Sequence, residues 1–135
     1  LRDLFEKDSK SFFARFATLL TLRGRPGSIE ELYQEYSPIY WLSERMRPTL
    51  LVHGKEDTTV PFSSSVQFAR ELKRLKVPFR FLVHQTGNHT FEFSQKDVKT
   101  DWILEQTVRF LRAYLKDRKP TPSLLNEELR KHYEN

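Results

Sequence analysis

Two short, continuously apolar runs stand out in a chain that otherwise patterns as helix. Thr49-Leu50-Leu51-Val52 follows Pro48 and is closed by His53-Gly54. Phe79 to Val83 follows Pro78, and Gly87 breaks the chain after it. Runs of this length without polar alternation predict strands buried on both faces, as in a parallel sheet. Elsewhere the apolar residues recur at helical spacing. Phe12, Phe16, Leu19 and Leu20 predict a helix over Leu1 to Leu22, stopped by Gly24-Arg25-Pro26-Gly27. Ser28 and Glu31 form a capping-box pattern for a short helix to about Tyr36, which Ser37-Pro38 ends because a residue before proline is pushed out of the helical region. Ser64 and Gln67 make a second such box, with Phe68, Leu72 and Leu75 as the apolar stripe of the helix that follows and Pro78 closing it. The last strong helix is predicted from about Asp101 to Leu115, with Leu104, Val108, Leu111 and Leu115 on one face. From Lys116 to Asn135 the pattern turns polar around Pro120 and Pro122 and predicts a surface tail.

The order is helices, strand, helix, strand, helix. A strand, a crossover helix and a second strand imply a parallel pair with a right-handed connection. The chain divides into a helical segment (1–27), an α/β core (28–115) and the tail (116–135). Two strands make a poor sheet, and their outer edge would be exposed to pairing. Partner strands are therefore expected in upstream sequence or in another chain. The chain begins at Leu1, which fits a piece cut from a longer polypeptide. Alone, it is expected to be marginal or to self-associate through the open sheet edge.

Composition changes this picture little. With 135 residues, 38% of them hydrophobic, the chain suits one domain or part of one. The net charge of +5 invites a nucleic-acid reading. The cations are spread along the chain, however. Arg70, Lys73, Arg74 and Lys76 fall within one predicted helix, and Arg109, Arg112, Lys116, Arg118 and Lys119 near the end of another. Such placement suits solvated helix faces and favourable ends of helix dipoles, and no nucleic-acid-binding motif accompanies it. Nothing reads as a signal peptide. The apolar stretch Phe12 to Leu22 is interrupted by Arg15 and is too short to span a bilayer. The chain has no cysteine, which excludes disulfides and thiolate metal sites and permits a reducing, cytoplasmic setting.

Both strands of a parallel pair end on the same edge of the sheet, so residues just past those ends converge. In open α/β sheets that edge binds ligands. Asp57 follows the first strand, in His53-Gly54-Lys55-Glu56-Asp57, and His89 follows the second, in Gly87-Asn88-His89. An aspartate beside a histidine there suits a base whose tautomer and charged form the carboxylate fixes.

At these residues a family resemblance enters. His53-Gly54-Lys55-Glu56-Asp57-Thr58-Thr59-Val60-Pro61 resembles the acid-bearing turn of α/β-hydrolases, closest to prolyl-oligopeptidase-like serine peptidases and their esterase relatives. Gly87, His89 and Phe91 are similar to the surroundings of that group's catalytic histidine, and Ser37-Pro38-Ile39 matches it too. The resemblance runs from about Ile29 to Leu115 and implies the C-terminal portion of an α/β-hydrolase fold, parallel strands with flanking helices. It implies Asp57 and His89 as two members of a Ser-Asp-His triad acting on a peptide or ester, with no metal or organic cofactor. The departure is at the nucleophile. None of the four glycines frames a serine as G-x-S-x-G, and the loop that completes an oxyanion hole is absent. In this fold the serine precedes the acid and the histidine, so it is expected upstream, in the other half of the same hydrolase domain, and the chain alone is expected to be inactive.

Each of the other candidates has a plainer role. Glu56 is the fallback acid, expected to face solvent. His53 is expected to support the turn before Gly54, His84 to pack at the second strand's end, and His132 to lie exposed in the tail. No paired spacing among these histidines points to a metal. Ser63, Ser64 and Ser65 are weighed as substitute nucleophiles and read instead as helix caps. Phe12, Phe13 and Phe16 fit core more often than substrate pocket, or else a segment inserted near the active site of a full enzyme, and the sequence does not choose between these. The rival functions are a non-catalytic binding module on the same fold and a related enzyme with another nucleophile, such as an aspartate for dehalogenation.

Overall fold

The computed structural model describes residues 12–116. The sequence-predicted order of elements is present: helix α1 (Phe12–Leu22), α2 (Glu30–Glu35), a 3-10 turn (Pro38–Trp41), strand β1 (Thr49–Gly54), α3 (Phe62–Arg74), β2 (Phe79–His84), a short α4 (Phe91–Ser94) and α5 (Val98–Leu111), which runs on as a π turn over Arg112–Lys116. The predicted helical residues before Phe12, and the tail beyond Lys116 with His132, lie outside the described residues.

β1 and β2 pair in parallel, Thr49 against Phe79 through Gly54 against His84. The alternation of side chains along β2 separates two cores. Phe79, Phe81 and Val83 pack with Ala69 and Leu72 of α3, joined by Leu51 from β1. Leu82 faces the other way, onto Phe91 and Ile103, with Leu50 and Trp102 beside them. α3 and α5 thus cover opposite faces of the strand pair. Leu72 and Leu82 have no exposed surface, and each such burial contributes about 2 kcal/mol.

β2 meets the expectation of a strand buried on both faces, with only Arg80 half-buried. β1 does not. Its first three residues are half-buried and Val52 is 41% exposed. Among the described residues nothing pairs with its second edge, since the sheet has two strands. An apolar strand of this kind is composed for a sheet wider than the two strands seen.

Helix ends depart from the predicted caps. The residue before α2 is Ile29, without a side-chain cap, and the Ser28 hydroxyl instead donates to the Arg25 carbonyl at 2.8 Å. α3 begins at Phe62 behind Pro61, and Ser63, Ser64 and Ser65 sit inside its first turn without capping it. Pro61 has φ −58°, which a proline ring holds ready for entry into a helix. α5 starts before Asp101: Asp97 is its N-cap and accepts the Thr100 N–H at 2.8 Å. α3 ends before Pro78 is reached, in a Schellman turn. Lys76 has φ +55°, its N–H donates to the Lys73 carbonyl at 3.1 Å, and the Val77 N–H donates to the Leu72 carbonyl at 3.0 Å.

The buried face of α5 also differs from the predicted one. Leu104, Val108, Leu111 and Leu115 are 44%, 45%, 47% and 76% exposed, whereas Ile103, Phe110 and Ala113 are buried. Both sets recur at helical spacing. Ile103 packs with Leu82 of β2 and with Phe91, and the helix's N-cap, Asp97, contacts His84 at the end of the same strand. On α1, Phe12 and Phe16 stack with ring centroids 6.2 Å apart and are exposed, so neither is core among the described residues.

Candidate active site

Beyond the strands, the parallel ladder continues into the two loops. The Lys55 N–H donates to the His84 carbonyl at 2.8 Å and the Glu56 N–H to the Gly87 carbonyl at 3.0 Å. This close lacing explains the glycines. A Cβ on Gly54 would collide with the Gly87 carbonyl, and one on Gly87 would stand 2.7 Å from the His84 Cβ.

Asp57 and His89 meet across these loops. The His89 Nδ1 lies 3.0 Å from the Asp57 Oδ2. The carboxylate only accepts, so this nitrogen carries the proton and Nε2 of the neutral ring holds the lone pair. Asp57 is held on its other oxygen as well. Oδ1 accepts the Thr59 and Val60 N–H groups at 2.8 Å each, an Asx turn. The Asp57 side chain is 6% exposed, the His89 side chain 44%. Burial pushes the Asp57 carboxyl up. The hydrogen bond from His89, the N–H groups of Val60 and Thr59, and the His89 charge together outweigh burial and hold it below the usual aspartate value. Glu56 is exposed, as expected.

His53 does more than support the turn. It is buried, with Nδ1 2.6 Å from the Ser65 Oγ and Nε2 3.2 Å from the Val60 carbonyl and 3.4 Å from the Asp57 Oδ2. The carbonyl requires a proton on Nε2, so the Ser65 hydroxyl donates to Nδ1. Ser65, His53 and Asp57 form a part-buried line with the composition of a triad, but it ties the first turn of α3 to the acid-bearing turn. The sequence offers one signal for it, the i, i+4 spacing of His53 and Asp57.

His84 carries a second contact that the sequence reading missed. It packs on Phe91 with ring centroids 4.8 Å apart, and its Nε2 lies 3.2 Å from both oxygens of Asp97. The Thr100 N–H is the main reason the Asp97 carboxyl sits below its ordinary value; burial pushes the other way, and the His84 contact adds to the lowering. An open cleft of about 710 Å³ lies beside Asp57, bounded by Lys55, Thr58, Phe62, Ser63 and Asn88 among others. Among the described residues no group of three His, Cys, Asp or Glu is placed to hold a metal ion, and no helix is long and apolar enough to cross a membrane.

Comparison with known proteins places the chain in a family. The family model for the prolyl oligopeptidase family matches residues 4–118. The chain belongs to the prolyl oligopeptidase family. It is 34% identical over 79 residues to the human acylamino-acid-releasing enzyme, covering 58% of this chain and 10% of that protein. It is 28% identical over 100 residues to acylamino-acid-releasing enzyme 1 of Oryza sativa, covering 73% of this chain and 12% of the rice protein. A probable carboxylesterase, M8 of a Phoma species, is 37% identical over 60 residues, 44% of this chain and 18% of its own length. The chain thus spans about a tenth of the length of the acylamino-acid-releasing enzymes it matches. No solved structure matches it. Family membership fixes the fold class as α/β-hydrolase, of which the parallel strand pair and its flanking helices are a part.

Proposed function

We propose that this chain supplies the acid and the base of a serine hydrolase whose nucleophilic serine lies upstream on the same polypeptide. The observation that carries the reading is the 3.0 Å contact between the His89 Nδ1 and the Asp57 Oδ2 at the ends of two parallel strands. His89 Nε2 takes the serine proton as the serine oxygen attacks the scissile carbonyl, and returns it to the leaving group. Water then repeats the attack on the acyl-enzyme, losing its proton to the same nitrogen, and the serine is regenerated. Asp57 orients the ring and stabilises the imidazolium in both halves.

The substrate in this reading is an amide bond. The relatives that release acylamino acids favour a peptide whose first residue carries an acyl group. A second reading, ester hydrolysis at the same site, is favoured by the carboxylesterase relative. Paired N-acetyl-alanine p-nitroanilide and p-nitrophenyl ester substrates separate the two on the complete polypeptide.

The decisive experiment is fluorophosphonate labelling of the complete polypeptide, with the modified residue mapped by mass spectrometry. Label on a serine upstream of Leu1, lost in His89→Ala, is the expected result. A folded polypeptide that takes no label would overturn the reading in favour of a non-catalytic binding module. Label on Ser63, Ser64 or Ser65 would overturn the placement of the nucleophile.

A further inference from the structure

We infer that Asn88 is a positioning residue that locks the histidine loop to the acid-bearing turn, through a side-chain oxygen that receives three hydrogen bonds. The Asn88 Oδ1 lies 2.7 Å from the His89 backbone nitrogen, 3.1 Å from the Thr58 backbone nitrogen and 3.2 Å from the Thr58 Oγ1. Two of these partners are backbone N–H groups, which can only donate. The side-chain atom facing them must therefore be the carbonyl oxygen, so the orientation of the amide is dictated by its surroundings.

One acceptor thus joins two loops that are remote in the chain. Its donors are the residue after Asp57 and His89 itself. Without it, the His89 N–H and the Thr58 N–H have no other partner among the described residues, and nothing in the side chain of residue 88 fixes the distance between the two loops. The remaining links are the Lys55–His84 and Glu56–Gly87 backbone bonds, and the Asp57–His89 contact whose length the clasp controls. The residue after His89 makes such control worthwhile. Thr90 has φ +56°, an uncommon state for a β-branched residue, so the loop is held in a conformation it would leave if released. Asn88 also borders the cleft beside Asp57, so the clasp stands at the site's rim.

The inference rests on the catalytic reading of Asp57 and His89, and its test separates the two. In the complete polypeptide, Asn88→Leu keeps the side chain's bulk and removes the acceptor, whereas Asn88→Asp keeps the acceptor. Turnover of N-acetyl-alanine p-nitroanilide is measured for both beside His89→Ala. Asn88→Leu is expected to lower kcat by about tenfold to hundredfold while KM stays within about twofold, because misplacing the base by about 1 Å costs that much. Asn88→Asp is expected to recover kcat to within about threefold of the parent, a rescue that a merely bulky, structural residue would not show. Should Asn88→Leu fail to fold by circular dichroism, Thr58→Val carries the test. It removes one of the three donors and is expected to lower kcat by about threefold. Unchanged kcat in Asn88→Leu, or in Thr58→Val where that variant decides, overturns the inference, as does an equal loss in Asn88→Leu and Asn88→Asp. If His89→Ala also keeps full turnover, the catalytic reading itself has failed.

Discussion

The two oxygens of Asp57 divide their work. Oδ1 binds its own turn through Thr59 and Val60, and Oδ2 faces His89 and, from beneath, His53. The donors from His89, Val60 and Thr59 favour the carboxylate over the acid, so the group sits below its ordinary value of 3.8 despite burial. A lowered carboxyl contributes stability above the unfolded-state pKa and loses it as pH falls through the folded-state value. Asp57→Asn should therefore flatten the fall in melting temperature below about pH 4, measured by circular dichroism across pH. In the complete polypeptide the same variant is expected to lower kcat by about a thousandfold or more at neutral pH, because an amide can present its N–H to the ring and reverse the tautomer. Asp57 and His89 were legible from sequence because their neighbours, glycines above all, are dictated by the close approach of the two loops. The partners of His53 and His84 were not. Ser65 and Asp97 reach them through the packing of helix ends, which leaves no spacing rule in the chain.

Helix ends show where local pattern stops being decisive. Three serines before an amphipathic stripe read as a cap, yet the turn from Asp57 to Pro61 starts α3 earlier and draws Ser65 to His53. At its other end α3 closes with Lys76 in a left-handed conformation that glycine adopts without strain. Lys76→Gly is expected to raise stability by about 1 kcal/mol, read from urea unfolding, since relief of the side-chain clash outweighs the added freedom of the unfolded chain. α5 carries two apolar stripes, and periodicity alone ranks Leu104, Val108, Leu111 and Leu115 first. The chain buries Ile103 and Phe110 instead, Ile103 against Leu82 and Phe91, on the side where the N-cap Asp97 meets His84.

For the molecule as a whole, two of the apolar surfaces that the described residues leave uncovered lie on the sheet and on its covering helix. One is the edge of β1 with Val52 at 41% exposure, and the other is the outward stripe of α5. Unpaired edges and contiguous apolar faces both promote association. The chain alone is expected to self-associate, seen as concentration-dependent mass in sedimentation velocity, and Val108→Glu with Leu111→Glu is expected to reduce it. A monomer at all concentrations that unfolds cooperatively would show that these surfaces are covered from within the chain. The chain spans about a tenth of the length of the acylamino-acid-releasing enzymes it matches, and such open surfaces suit a sheet wider than the two strands seen.

The sequence by itself determined the strand–helix–strand order, the parallel pairing it implies and the two loop residues that meet. Those follow from short apolar runs, the crossover rule and glycines at a close approach, all local or topological constraints. The tertiary structure alone decided which face of α5 is buried, that Ser65 serves His53 instead of capping α3, and that Asn88 clasps the loops. Each of these depends on groups brought together from distant positions, where several partners are chemically equivalent and only packing geometry selects among them.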